Sequence, residues 1–247
     1  MHKGFTTANL RFVLHRIRDE LRNTNADFIF LQEIQGQHSV REKSVSGWPV
    51  ESQFEFLSDR LWPHFAYGKN AIYNAGHHGN AILSKYPFIE WENLNVSDLR
   101  RASRSLLHGV VKVPGISKKL HVICIHLDFR AYMRRKQMKI LEKRIRQAVP
   151  FDEPLILAGD FNDWRSEIND YLSEDLLLTE VFQHLHGRHA KTFPAFFPVL
   201  SVDRIFYRGV KPVECACFRD NPWRKMSDHL PLYASFELDC QVVLTHD

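Results

Sequence analysis

Asp160, Asn162, Asp163 and Trp164 follow directly on the apolar run Leu155–Gly159. A short apolar run of this kind, closed by a glycine, reads as a buried strand. Its end delivers two carboxylates, a carboxamide and an indole within five residues. Three further apolar segments carry polar residues at one end in the same way. "FIFLQE" ends at Glu33, "VICIHL" carries His126, and "MSDHLPL" brings Asp228 and His229 to the entry of the last strand. Taken singly, each has a bland explanation: Asp160 suits an Asx turn, Asn162 an N-cap, Glu33 a solvated strand end, and His126 a satisfied core position. As a set they are what sheet ends converging on one rim would supply. Carboxylates gathered there repel one another unless positive charge lies among them. Hard oxygen donors suit Mg2+ or Mn2+ with water completing the shell, and the absence of a thiolate argues against zinc.

The chain that must position these residues has 247 of them, 44% hydrophobic, enough for one large domain with a substantial core. Its net charge of +4 favours contact with a polyanion without requiring one. The four cysteines, Cys124, Cys215, Cys217 and Cys240, lack zinc spacing and read as reduced thiols. The start has no apolar signal region, and no run is long enough to span a bilayer, so the expectation is a soluble, cytoplasmic monomer.

Leu10, Val13, Leu14, Ile17 and Leu21 recur at helical spacing and predict a helix over Thr7–Asn25. Gly36–Pro49 is polar and reads as a surface loop, and Phe54–Trp62 as a second helix. Ala81–Leu83 is strand-like, stopped at Tyr86-Pro87. "LLHGVVKVPG" and "KLHVICIHL" predict two strands turned at Pro114-Gly115. The segment 132–149 is an amphipathic helix with Met133, Gln137, Ile140, Leu141, Ile145 and Ala148 on one face. Its stripe of Arg130, Arg134, Arg135, Lys136, Lys139, Lys143 and Arg144 reads as a solvated face, ahead of a nucleic-acid track. Strands are also expected in "LSVDRIFYRG", "VECACF" and "LPLYASFEL", which makes the whole an α+β or layered sandwich design.

Glu33 in "LQE", "GNAILSKYP", His126 in "IHL", "GDFN", "VDRIF" and "SDH" stand in the order found in the endonuclease/exonuclease/phosphatase superfamily, which the chain resembles over nearly its whole length. Small bacterial members of unassigned substrate, with "HKGFT" and "TFP" stretches, are the most similar. The resemblance implies a four-layer α/β sandwich, two packed mixed sheets flanked by helices, with the active site at one rim. It implies hydrolysis of a phosphate ester. A nuclease or phosphodiesterase comes first, a phospholipid or small-molecule phosphatase second, and a phosphate-binding module without turnover third. The partner is then a phosphoester, nucleic acid among the candidates, with peripheral lipid contact also open.

Carried onto this sequence, the resemblance gives each residue a role. Glu33 is the principal Mg2+ ligand and Asp228 a second metal or water contact. Asp160 orients or deprotonates the attacking water, and Asn162 holds a phosphoryl oxygen. His126 contacts another such oxygen or protonates the leaving group. Asp203 orients His229, whose role as base or as charged phosphate clamp stays open. Arg104, ahead of Arg101, is the preferred phosphate contact, with His78 and Asn80 as further substrate-side candidates, although Asn80 also suits a turn. "KTFPAFFPVL" reads either as a loop that stacks on a base or lipid or as a packed loop. The superfamily's first strand carries an asparagine just ahead of the stretch matching His2-Lys3-Gly4, so that strand is expected to lie before Met1. A start codon placed too far downstream is preferred over trimming or genuine loss. As written, the chain is expected to fold less well or to hold metal weakly.

Overall fold

The computed structural model describes residues 3–7, 11–97 and 104–238, apart from the side chains of 169 and 170. Elements run in the order α1 (Leu14–Thr24), β1 (Phe28–His38), α2 (Arg41–Ser44), α3 (Gln53–Ser58), β2 (His64–Tyr73), β3 (Gly76–Ser84), β4 (Phe88–Asn95), β5 (Ser105–Val111), β6 (Leu120–His126) and α4 (Ala131–Ala148). They continue with β7 (Leu155–Asp160), α5 (Glu167–Leu176), β8 (Thr179–Glu180), α6 (Val181–His186), β9 (Asp203–Arg208), β10 (Lys211–Cys217) and β11 (Leu232–Glu237). The fold is mixed α/β, with two main sheets flanked by helices.

One sheet has the order β4-β5-β6-β7-β9-β8, the other β1-β3-β2, and β10 and β11 form a separate pair. Ala66 and Ile82 of the second sheet pack on Leu107, Val122, Cys124 and Ile156 of the first, which makes the inter-sheet layer. Gln32 Nε2 donates to the Cys124 sulfur across this layer at 3.2 Å. The outer face of the large sheet is covered by Met138, Leu141 and Ile145 of α4 and by Ile168 and Leu172 of α5. Leu14 and Ile17 of α1 and Phe54 and Leu57 of α3 cover β1 and β3. Strands β5, β6 and β7 are buried on both faces, as their unbroken apolar runs require.

Several sequence readings are corrected. Helix α1 begins only at Leu14, because Phe5 and Phe12 pair in a bridge and pack with Trp48 instead of extending the helix; Leu10 lies outside the described residues. Helix α3 stops at Ser58, where Asp59 takes φ 41°. The loop expected from Gly36 holds the end of β1 and the short α2. Strand β3 starts at Gly76 and so extends well ahead of the strand-like stretch expected at Ala81–Leu83. Cys124, Cys215 and Cys217 are free thiols, and Cys240 lies outside the described residues. No described helix is long and apolar enough to cross a membrane.

A cavity of about 670 Å3 runs from α1 to the rim between β1 and β11. Phe28, Phe30 and Leu31 line one wall, and Leu232, Ala234 and Phe236 the other. Among the described residues β1 pairs only with β3, and β11 only with β10, so the strand edges bordering this slot are open.

Candidate active site

Strand register assembles the centre of the site. His126 is level with Asp160 in the parallel β6–β7 pair, and Asp160 is level with Asp203 in the antiparallel β7–β9 pair. Three adjacent strands therefore end in a row of imidazole and two carboxylates. His229, from the loop before β11, donates its Nδ1 proton to Asp203 Oδ2 at 2.7 Å. One ligand-type atom from each of Asp160, Asp203 and His229 lies within 4.8 Å of the others. His126 Nε2 stands 3.4 Å from Asp160 Oδ2.

The turn after β7 holds Asp160 in place. Asn162 has φ 50°, and its backbone N–H donates to Asp160 Oδ1 at 2.9 Å. Its amide Nδ2 reaches the Leu127 carbonyl at 3.0 Å and Asp160 Oδ2 at 3.3 Å. Both amide protons are therefore engaged inside the protein. In this arrangement Asn162 braces Asp160, where the sequence reading gave its amide to a phosphoryl oxygen. Asp163 turns the other way. It is fully buried, accepts from the Ile168 N–H at 2.9 Å, and lies 3.7 Å from Arg134 and 3.9 Å from Arg204. Arg204 also donates to the Asp163 and Ser201 carbonyls. This buried cluster ties the "DFNDW" turn to α4 and to the start of β9, one residue from Asp203.

The sequence reading missed both arginines. Arg134, assigned to the wet stripe of α4, is buried. The signal was present, since Arg134, Met138, Leu141 and Ile145 share one helical face. Arg204 carries no such signal, because it sits beside a functional residue in an ordinary-looking strand.

The electrostatics divide the four central groups. Burial, then the neighbouring Asp203 carboxylate, pushes Asp160 up to about 7. Burial opposes the charge on His229, yet Asp203, by charge and by hydrogen bond, followed by Asp160 and Asp228, holds that ring up at about 9. His126 goes the opposite way: burial, then the Arg104 guanidinium, holds it well below the usual histidine range. The Arg104 Nη1 to His126 Nδ1 distance is 3.4 Å. Burial and Arg104 together favour the neutral ring at His126, read from the sequence as a phosphoryl-oxygen contact or the leaving-group acid.

Glu33 sits at a register shift between Leu31 and Ile34, with φ 56°. A bulge of this kind re-aims a side chain out of the strand's alternation. Glu33, Arg104, His126, Asp160, Asn162, Asp203, Asp228 and His229 all line the rim end of the same cavity. Asp228 accepts from the Ser227 hydroxyl at 3.2 Å. His78 is lowered to about 4 by burial and then by Lys3, against the pull of Glu33, and its Nδ1 is buried without a partner. Asn80 is fully buried and donates to the Ser105 carbonyl at 3.0 Å. It fastens β3 to the start of β5, next to Arg104, and stands within a strand, which corrects its reading as a turn residue. Arg101 lies outside the described residues.

The pattern of the Endonuclease/Exonuclease/phosphatase family matches residues 6–229. YbhP of Escherichia coli (strain K12), an uncharacterized protein, is 42% identical over 238 residues, 96% of this chain and 94% of its own. The crystal structure of an endonuclease/exonuclease/phosphatase from Beutenbergia cavernae superposes with a TM-score of 0.74 at 19% identity, over 96% of this chain and 69% of that one. A structure of D. rerio TDP2 complexed with a single-strand DNA product superposes with a TM-score of 0.68 at 22% identity, over 91% of each chain. At these identities the two structures speak to the fold alone.

Proposed function

Because the chain belongs to the endonuclease/exonuclease/phosphatase family, we propose that it is a divalent-metal-dependent phosphoester hydrolase, with Mg2+ (Mn2+ as substitute) as its cation and phosphodiesters as its first substrates. The convergence of Asp160, Asp203 and His229 beside His126 carries this reading. A cation fits the donor set. Burial, then the Asp203 carboxylate on the adjacent strand end, pushes Asp160 up to about 7, a cost that a bound cation relieves, and Glu33 and Asp228 add hard oxygen donors on the same cavity. Glu33 and Asp228 would hold the ion. When bound, it neutralises phosphoryl charge and makes a water or leaving oxygen more acidic.

The chain's own residues divide the remaining work. Asp160, with a pKa near neutrality, takes a proton from the attacking water. His229 keeps its proton through neutral pH and holds a phosphoryl oxygen; Asp203 fixes its tautomer and sustains its charge. Neutral His126 offers its Nε2 proton beside Asp160, because its Nδ1 faces Arg104. Arg104 balances the negative charge of the ester.

The open slot between β1 and β11 supports a second part of the reading. An additional strand seated there would join the two sheet pieces and satisfy both edges. It would also bring a further polar side chain beside Glu33. The alternative, a phosphate-binding module without turnover, draws on the same slot.

Release of nitrophenol from bis(p-nitrophenyl) phosphate separates the two. The expected result is release that needs Mg2+ or Mn2+ and collapses in Asp160→Ala and His229→Ala. Metal-independent release, or none with a strand supplied to the slot, defeats the enzymatic reading. A panel of plasmid DNA, single-stranded RNA, phospholipid and sugar phosphates then ranks substrates.

A further inference from the structure

The stretch Phe193–Leu200, "FPAFFPVL", contains no side chain able to hydrogen-bond. Burying it would be the simple outcome, yet Phe196 and Phe197 are each 67% exposed and Val199 45%. The loop is nevertheless held firmly. Thr192 N–H donates to the Leu200 carbonyl, and Leu200 N–H to the Phe193 carbonyl, closing its base. Ala195 N–H reaches the Asp228 carbonyl at 2.7 Å, and Arg224 donates to the Phe196 carbonyl at 2.8 Å. The Phe193 ring lies 4.9 Å from the His229 ring, so the loop forms one lip of the catalytic mouth.

A second lip, from the segments that follow β6 and β7, repeats the chemistry. Phe129 and Tyr132, just after His126, are 60% and 55% exposed, and Trp164, two residues after Asn162, is 46% exposed. The Arg130 guanidinium lies over both Phe129 and Tyr132. Exposed aromatic side chains thus follow His126 and Asn162 and stand on the loop that touches His229, where a surface in water would ordinarily place polar residues.

We propose that this mouth is a docking surface for an anionic phospholipid bilayer, with Phe196 and Phe197 entering the headgroup–acyl boundary. The inference rests on the phosphoester reading only for what the membrane presents to the site, namely a lipid phosphoester. Charge complementarity selects the occupant. Exposed Lys191, Arg224 and Lys225 flank the apolar tip, and Arg165 flanks the other lip, where Arg130 is paired with Asp128. An apolar tip ringed by cations is the pattern of an interfacial anchor. A single-stranded nucleic acid is tracked by a continuous basic groove, whereas at this tip Phe196 and Phe197 stand within the uncharged stretch Phe193–Leu200, with the cations at its margins. A rigid loop also loses little conformational freedom on insertion.

Flotation of the full chain tests this without turnover, so a failure of hydrolysis does not bear on it. Two vesicle types serve as probes: phosphatidylcholine alone, and phosphatidylcholine with phosphatidylglycerol. The expected result is co-flotation with the anionic vesicles that weakens with added salt, and a partition about tenfold lower for Phe196→Ser/Phe197→Ser at unchanged thermal midpoint. A second variant, Lys191→Gln/Lys225→Gln, is expected to weaken anionic binding alone. No flotation of the wild-type chain, or equal flotation of the Phe196→Ser/Phe197→Ser chain, overturns the proposal. So does tight binding of a fluorescent single-stranded oligonucleotide that the same double substitution abolishes, since the mouth would then be a stacking platform for bases.

Discussion

Strand β6 carries a buried histidine cluster at each end, and the two clusters behave differently. At its rim end, His126 meets Asp160, Asp203 and His229. At its other end, His121 Nε2 donates to Glu153 at 2.6 Å, His121 Nδ1 pairs with His108 Nε2 at 2.9 Å, and Arg144 donates to His108 Nδ1 at 3.2 Å. The Arg144 proton fixes His108 Nδ1 as an acceptor. His108 Nε2 must then carry a proton and give it to His121 Nδ1, which leaves His121 Nε2–H for Glu153. Every nitrogen of the two rings has one role, and both rings are neutral. Burial, then the neighbouring His121, takes His108 down to about 3; burial also lowers His121, against the support of Glu153. At the rim the groups diverge: His126 is lowered like the far pair, whereas burial and the Asp203 carboxylate raise Asp160, and the Asp203 carboxylate outweighs burial to raise His229. Perturbed titration marks both clusters, so perturbation alone does not identify a site. The distinguishing feature is whether the polar groups satisfy one another or leave a charge imbalance that an incoming ligand relieves.

The sharpest way to break this contrast is Asp160→Asn. If Asp160 is the base, phosphodiester hydrolysis falls about 10³-fold. Stability should move the other way. A carboxyl whose folded pKa of about 7 stands above its unfolded value of 3.8 contributes fully below the unfolded value and loses that contribution as pH rises through 7. Without divalent metal, the wild-type chain is therefore penalised at pH values above about 7, and the asparagine is not. The measurements are nitrophenol release and thermal midpoint in chelator under mildly alkaline conditions. The expected pair is lost activity with an equal or higher midpoint. Lost activity with a falling midpoint would place Asp160 among structural groups like those at the far end.

Asp203→Asn acts on the same cluster through His229. The wild-type kcat/KM is expected to fall as pH rises through about 9, where the His229 clamp loses its proton. Removing the Asp203 charge leaves burial as the dominant influence, which lowers the ring. The alkaline limb should then move below neutrality, with a loss of about 10²-fold at mildly alkaline pH. A pH–rate profile that keeps its alkaline limb in the variant would detach His229 from Asp203.

The rim was more legible in the sequence than the architecture supporting it, for a physical reason. Glu33, His126, Asp160 and His229 each terminate an apolar run, and a polar residue at the end of a buried strand is visible without knowing its neighbours. Strand β2 was invisible because its inward face is Ala66, Gly68 and Asn70, while Phe65 and Tyr67 face outward against Phe54. The usual apolar alternation is therefore inverted. Strand β4 is a largely exposed edge and has no apolar face to detect. The bulge at Glu33, the burial of Asn80 and the Arg134–Asp163–Arg204 cluster all depend on partners distant in sequence. Periodicity carries no information about such partners.

The smallest expected effect probes the far cluster, and it is chosen to leave the rim untouched. Glu153→Gln keeps a carbonyl that accepts the His121 Nε2 proton, so the chain of tautomers survives. It removes the charge that supports His121, and a stability loss of about 2 kcal/mol is expected. Because the folded pKa values of His108 and His121 lie below 6.5, their contribution is present above 6.5 and is lost as pH falls from 6.5 toward the folded value, about 3 for His108. The variant should fall more steeply with acid than the wild type, since His121 loses the hydrogen-bonded carboxylate that most supports its charge. Denaturant titrations across that window read the difference. Over the same window kcat/KM should stay within about twofold of wild type, because distant sites with no shared partner act independently. Should Glu153→Gln depress turnover as Asp160→Asn does, β6 would be coupling its two ends, and the division into a satisfied cluster and a reactive one would fail.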